Sequence, residues 1–225
     1  MKNKILIAAA LLVSVNLVES CNNSTGNMSK NEMDGSMTHK SREDSMSSGK
    51  MQKDNGLMQS MSSTMHKMHD MKMTGDFDLD FANMMVMHHQ AAVDMSKVEI
   101  AKGTDARIKT MAQNIITAQK AEIEQMQQFI KNHKMQEAKQ NAEMHHELDA
   151  VMKDMMDKMK SIQMTGNADK DFVMMMIPHH ESAVEMAEDE LSHGKHQELK
   201  KMARVMIADQ NKEIADFEAW LASQK

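Results

Sequence analysis

"MTGNADKDFVMMMIPHHESAVEM", residues 164–186, lies without a gap on "MTGDFDLDFANMMVMHHQAAVDM", residues 73–95. The offset of 91 residues, from 73 to 164, holds well beyond that stretch. Gly103 meets Gly194, Met111-Ala112 meets Met202-Ala203, Gln119 meets Gln210, and Glu122-Ile123 meets Glu213-Ile214. Upstream, Met61, Met65 and Met68 meet Met152, Met156 and Met159. An ungapped self-match of this extent marks an internal duplication, so each copy should be one supersecondary unit.

Each copy reads as two helices. Phe81, Met84, Met85, His88, Ala92 and Met95 recur at spacings of three and four, which is one face of an α-helix. A second helical stripe runs through Ile108, Met111, Ala112, Ile115, Gln119, Ile123, Met126 and Ile130. Asp80 and Asp171 read as N-caps, and Gly103 and Gly194 stand where the first helix of each copy must end. No segment alternates like a strand. Pro178, the single proline, removes a helical N–H and predicts a kink beside the histidines. Two helical hairpins cannot hide their apolar faces alone. The expectation is therefore an all-α four-helix bundle of duplicated hairpins, residues 61–133 and 164–225. A helix-prone bridge, 134–163, carries Met152, Met156 and Met159 on one stripe, so the Met-rich segment ahead of each hairpin should also be helical.

The amino terminus has a different character. Lys2 and Lys4 precede an apolar run from Ile5 to Val13, and Val18-Glu19-Ser20-Cys21 closes it. This is the pattern of a secretory signal over residues 1–20, too short for a membrane span. The closing tetrapeptide resembles a bacterial lipobox, which predicts acylation of Cys21 and a membrane anchor in the cell envelope, on the periplasmic or outer-membrane side. Residues 21–60 are rich in Ser, Asn, Lys, Gly and Met and read as a flexible tether. A net charge of −6 and a pI near 6.0 give no reason to expect nucleic acid as a partner. With one cysteine in the chain there is neither a disulfide framework nor a thiolate metal site.

Soft-metal chemistry must then fall to methionine, which occurs 31 times, against no tyrosine and 3% aromatic residues. Neighbouring residues on a helix point about 100° apart, so a His-His pair cannot chelate one ion through both rings from one face. The helical face places His88 with Met84, Met85 and Met95, and His179 with Met175, Met176 and Met186, all directed inward. His89 and His180 fall toward the flank. A further cluster, "MHKMHDMKM" at residues 65–73, interleaves His66 and His69 with Met65, Met68, Met71 and Met73. Thioether plus imidazole is a soft, neutral donor set that suits monovalent copper or silver and offers little to magnesium, calcium or manganese. The competing explanation is packing. Methionine fills irregular core gaps, Met111 and Met202 fit that role, and each histidine could be bonded to a core carboxylate such as Glu122 or Glu213. Met28, Met33, Met37, Met46, Met51 and Met58 fall in the tether, where packing offers no reason for them.

The phrase F-x-x-M-M-x-x-H-H-x-x-A-x-x-M, at residues 81–95 and 172–186, resembles the signature of the secreted bacterial family called domain of unknown function 305. That resemblance implies a ferritin-like helical bundle with paired His-His repeats, and for some members periplasmic copper binding and copper tolerance. The second copy, with Ile177-Pro178-His179-His180, follows the pattern, whereas the first has Met87 in place of the proline. The function expected is capture of copper(I) or silver(I), buffered or handed to another protein, with no turnover. Two alternatives stand beside it. A di-iron oxidase needs inward carboxylates and Glu-x-x-His pairs, a spacing met by Glu143/His146 and Glu190/His193 but not at matching places in the copies. A structural or adhesive surface lipoprotein would use methionine only as filler.

Overall fold

The computed structural model describes residues 56–134 and 142–224. Among them are six helices and no strand: α1 (Leu57–His69), α2 (Phe77–Lys102), α3 (Ala106–Asn132), α4 (Ala142–Ser161), α5 (Ala168–His193) and α6 (Gln197–Ser223). The duplication expected from sequence is this order read twice, α1–α3 and then α4–α6. At the centre α2 packs against α5; α1 and α3 flank α2, and α4 and α6 flank α5. The bridge therefore supplies a full structural member, α4, in the place that α1 takes in the first copy. Helix α5 runs unbroken through the buried Pro178.

Capping differs from the sequence expectation. Asp76 and Asn167 are the N-caps, accepting from the Leu79 and Lys170 amides, while Asp80 and Asp171 lie inside the first turn and are fully buried. Asp80 accepts from the amides of Thr74 and Gly75 at 2.8 and 3.1 Å, and Asp171 does the same for Thr165 and Gly166 at 2.6 and 2.9 Å. The cause is the Thr-Gly turn ahead of each helix. Gly75 and Gly166 adopt φ of 90° and 82°, a conformation that costs glycine little and folds the turn's N–H groups back onto the carboxylate.

Gly103 and Gly194 do end α2 and α5, but with extended backbone (φ −66° and −60°). A Cβ at either position would run into the side chain of Glu99 or Glu190 and lie 2.7 or 2.6 Å from its carbonyl oxygen, so the constraint is close approach. The carboxyls of Glu99 and Glu190 are part of the device that joins the copies. Asp169 accepts from the amides of Thr104 and Asp105 at 2.9 and 2.8 Å, which caps the α2–α3 turn from the other copy. Asp78 returns the contact, accepting from the amides of Lys195 and His196 at 2.9 and 2.7 Å. The start of each central helix thus clasps the end of the other, and α2 and α5 run antiparallel.

Burial, with the neighbouring Asp169, pushes the Glu99 carboxyl up to about 8; burial and Asp78 push Glu190 to about 9. Each is a neutral acid at pH 7, able to donate its proton to the aspartate beside it. For Asp169 burial alone would raise the pKa, but hydrogen bonds from the Asp105 amide and Thr104, with Glu99, hold it below the usual range. The unfolded chain releases the two glutamate protons near pH 4.5, whereas the folded chain keeps them until about pH 8 and 9. Stability is therefore lost as pH rises through that window. The urea midpoint should fall between pH 7 and about 9.5, and Glu99→Gln/Glu190→Gln should flatten the dependence, since an amide donates without titrating. A midpoint independent of pH in the natural chain would show that these carboxyls are already ionised.

Candidate metal centre

The α2–α5 seam brings the two inner histidines together. The rings of His88 and His179 lie 3.7 Å apart between centroids, tilted by 37°, and all four histidines of the paired motifs are 0% exposed. Around them stand Met84, Met85 and Met95 of α2 and Met175, Met176 and Met186 of α5, fully buried in one continuous core with Phe81 and Phe172. The inward face expected from helical spacing is the face observed.

His89 and His180 are as buried as the inner pair, which corrects their placement toward the flank. Each is tied to the second helix of its own hairpin: His89 Nε2 lies 2.7 Å from Glu122 Oε2, and His180 Nε2 lies 2.8 Å from Glu213 Oε2. The histidine–carboxylate pairing raised in the packing reading is thus present for these two rings. That carboxylate pairing is absent for the inner pair; both nitrogens of His179 and the Nδ1 of His88 are buried without a hydrogen-bond partner, as are the Nδ1 atoms of His89 and His180. Buried polar atoms are nearly always satisfied, and an imidazole nitrogen without a protein partner in a soft-donor core is where a metal ligand is looked for.

Two residues at this centre were not singled out from sequence. Ser182 Oγ lies 2.8 Å from His88 Nε2, 2.7 Å from the carbonyl oxygen of His179, and 3.0 Å from the sulfur of Met155. A hydroxyl that gives its single proton to the carbonyl or the thioether accepts from His88 Nε2–H, which leaves the lone pair of His88 on Nδ1. Met155 belongs to the inward stripe of α4 (Leu148, Met152, Met155, Met159); Met156 is only half-buried. The helical period counted from Met152 and Met159 alone puts Met155 and Met156 equally far from the midline of the stripe, and only Leu148 tips the choice to Met155. At the 91-residue offset, Ser182 stands where the first copy has Ala91, and Met155 where it has Thr64. The centre is asymmetric within a nearly symmetric frame.

Met68 is in the core, Met71 and Met73 pack against it half-buried, and so does Met58. The tether cannot extend to residue 60, because α1 begins at Leu57, whose side chain is 1% exposed. Met65, His66 and His69 are on α1, and their side chains lie outside the described residues, as do those of Glu143 and His146. Cys21, Met28, Met33, Met37, Met46 and Met51 fall outside them altogether. Glu190 does not join His193 in a Glu-x-x-His pair: it faces Asp78 in the clasp, and His193 Nε2 lies 2.9 Å from Glu147 Oε2.

Fold and site together define a duplicated helical-hairpin bundle with a buried imidazole–thioether centre. The chain belongs to the family described as Domain of unknown function (DUF305), whose model matches residues 22–130 and 78–221. A crystal structure of a DUF305 protein from Streptomyces coelicolor is 25% identical, covering 67% of this chain and 94% of that one, with a TM-score of 0.52. The protein CopM in its Ag-bound form is 30% identical over 68% of this chain and 98% of that one, with a TM-score of 0.49. CopM has also been solved in Cu(I)-bound and Cu(II)-bound forms. A curated relative, an uncharacterized protein of Acanthamoeba polyphaga mimivirus, is 37% identical over 59 residues, 26% of this chain. The chain spans 39% of the length of that relative.

Burial first, and then the neighbouring imidazoles, holds the pKa of His88 and of His179 well below 6.5. The unfolded chain takes up protons on these rings as pH falls through 6.5 and the folded chain does not, so stability is lost on acidification below that pH. In an NMR titration of the histidine rings, His88 and His179 should stay neutral at pH 6.5 and protonate only at clearly lower pH. Ordinary titration near 6.5 would show that water reaches the seam.

Proposed function

We propose that this protein is a lipid-anchored, extracytoplasmic binder of monovalent copper, with silver as a mimic, that buffers the ion or hands it on without turnover. The observation that carries this reading is the buried contact of His88 and His179, with ring nitrogens free of protein partners, inside a shell of thioethers. These donors are neutral. The cost of burying an ion grows with the square of its charge, so a site without an inward carboxylate favours a singly charged, soft ion over a doubly charged one. His88, His179 and the adjoining methionines would hold it, with Ser182 and Met155 orienting the rings.

Cys21 supplies the anchor in this reading, and the methionines of residues 22–55 supply weak accessory capture. No helix among the described residues is long and apolar enough to cross a membrane; an acyl chain on Cys21 would hold the protein at the bilayer surface. The bundle site stands on helices already fixed by packing and should be the tightest.

Anaerobic titration with copper(I) against a competing chelator tests the proposal. His88→Ala/His179→Ala should weaken the tightest class by about tenfold or more, a loss of roughly 1.4 kcal/mol at the least. His88→Met/His179→Met, which keeps a soft donor, should retain part of it. Deleting residues 22–55, and stopping short of Leu57, should lower the number of ions bound and spare the tight class. An unchanged tightest affinity in both histidine variants would place binding in the tail alone. Better retention of iron than copper, with oxygen consumption, would favour the oxidase. Separately, Cys21→Ser should move the protein out of the membrane fraction with its helical circular dichroism intact; retention through high-salt and carbonate washes would refute the anchor.

A further inference from the structure

We infer that the chain carries a second metal site, separate from the histidine–methionine centre, in which Glu147, Asp189 and His193 bind a divalent transition-metal ion of the copper(II) or zinc(II) type. Asp189 and His193 are four residues apart on α5 and so share a face, and α4, which packs along α5, brings Glu147 to them. Each of the three offers a ligand atom, and these atoms all lie within 4.8 Å of one another. His193 Nε2 is 2.9 Å from Glu147 Oε2. Such ions hold nitrogen and oxygen donors at about 2.0–2.2 Å, so a small rotation of the side chains converges them on one ion. The imidazole is already held in place: the Phe77 ring meets it edge-on, with centroids 5.5 Å apart.

The electrostatics ask for a cation. Burial and then the charges of Glu147, Glu185 and Glu188 raise the Asp189 carboxyl, with His193 opposing them. His193 is the last residue of α5, so the negative end of that helix dipole points at the same place. One imidazole and two carboxylates make a harder, charged donor set that compensates a dipositive ion, unlike the neutral core. Glu147 and His193 side chains are 48% and 33% exposed, so the ion has an open approach and room for water in its remaining positions.

An exposed His–Glu pair is often no more than a surface contact, and the duplication supplies an internal control for that explanation. The positions equivalent to Glu147, Asp189 and His193 in the first copy are Gly56, Val98 and Lys102, none of which suits such an ion. The fold therefore does not require these side chains. All three ligands occur together only where α4 meets α5.

Cobalt(II), whose visible absorption reports imidazole–carboxylate coordination, is the probe, added to the full mature chain with and without competing zinc(II). One saturable site should appear, be displaced by zinc, and persist in His88→Ala/His179→Ala. Losing an outer-shell partner of a metal already costs about 10–100-fold, so Asp189→Asn/His193→Gln should weaken it by at least that much. The single variant Glu147→Gln, at a half-exposed position, should weaken it less while leaving the urea midpoint unchanged. Copper(I) affinity in these variants should match the natural chain, so failure here is distinguishable from failure of the core site. Cobalt binding that survives Asp189→Asn/His193→Gln, that disappears in His88→Ala/His179→Ala, or that never saturates overturns the inference.

Discussion

Asp78 and Asp169 each reach from the first turn of one central helix to the backbone amides that open the other copy's hairpin turn, and the rest of the bundle is set by that exchange. The bonds end on main-chain N–H groups, so they fix the position of one hairpin against the other to a fraction of a helical turn. Glu99 and Glu190, as neutral acids, fill the space behind each aspartate, and Gly103 and Gly194 make room for them. With both ends of α2 and α5 clasped, the seam between them has little freedom to slide. His88 and His179 each lie ten residues beyond the clasping aspartate of their own helix, about 15 Å along the axis, and therefore meet near the middle. The contact of the inner imidazoles follows from end-to-end backbone bonding some distance away.

Methionine in this core packs the seam with side chains that are also soft donors. Its unbranched, polarizable chain fills the irregular space beside the histidines, where branched side chains would leave gaps or clash. The same choice surrounds neutral imidazoles with neutral sulfur, and burial keeps those imidazoles neutral. A centre of this kind presents lone pairs without charge, which is the condition under which a soft, singly charged ion is preferred. His89 and His180 are held by Glu122 and Glu213, while His88 and His179 keep nitrogens free of such partners.

Duplication separates what the fold needs from what it tolerates. The residues that join the copies recur in both: Asp78 with Asp169, Glu99 with Glu190, Gly103 with Gly194, and each His-His pair. Where the copies differ, the chemistry differs. Ala91 against Ser182 and Thr64 against Met155 give only one inner histidine a hydroxyl and a sulfur neighbour. Gly56, Val98 and Lys102 against Glu147, Asp189 and His193 place a cluster of two carboxylates and an imidazole on one side of the bundle.

Much of this was legible in one dimension. The ungapped repeat and the three-and-four spacing determine two helical hairpins, their turns at Gly103 and Gly194, and the inward face bearing His88, His179 and six methionines, because a helix of 3.6 residues per turn leaves that arithmetic no alternative. The bridge was recognisably helical for the same reason, although Met155 rather than Met156 faces the core. Other features depend on how helices meet. Asp80 and Asp171 carry good capping chemistry, yet the positive-φ glycines that precede them turn the chain so that Asp76 and Asn167 take the caps. Met58 reads as a tether residue until α1 lies against α2 and packs it, with Met71 and Met73, against the core that holds Met68. Ser182, Glu99, Asp169 and Glu147 gain their roles only through partners 27 to 94 residues away. Local periodicity determines which face a residue is on, and only the packing of whole helices decides what that face meets.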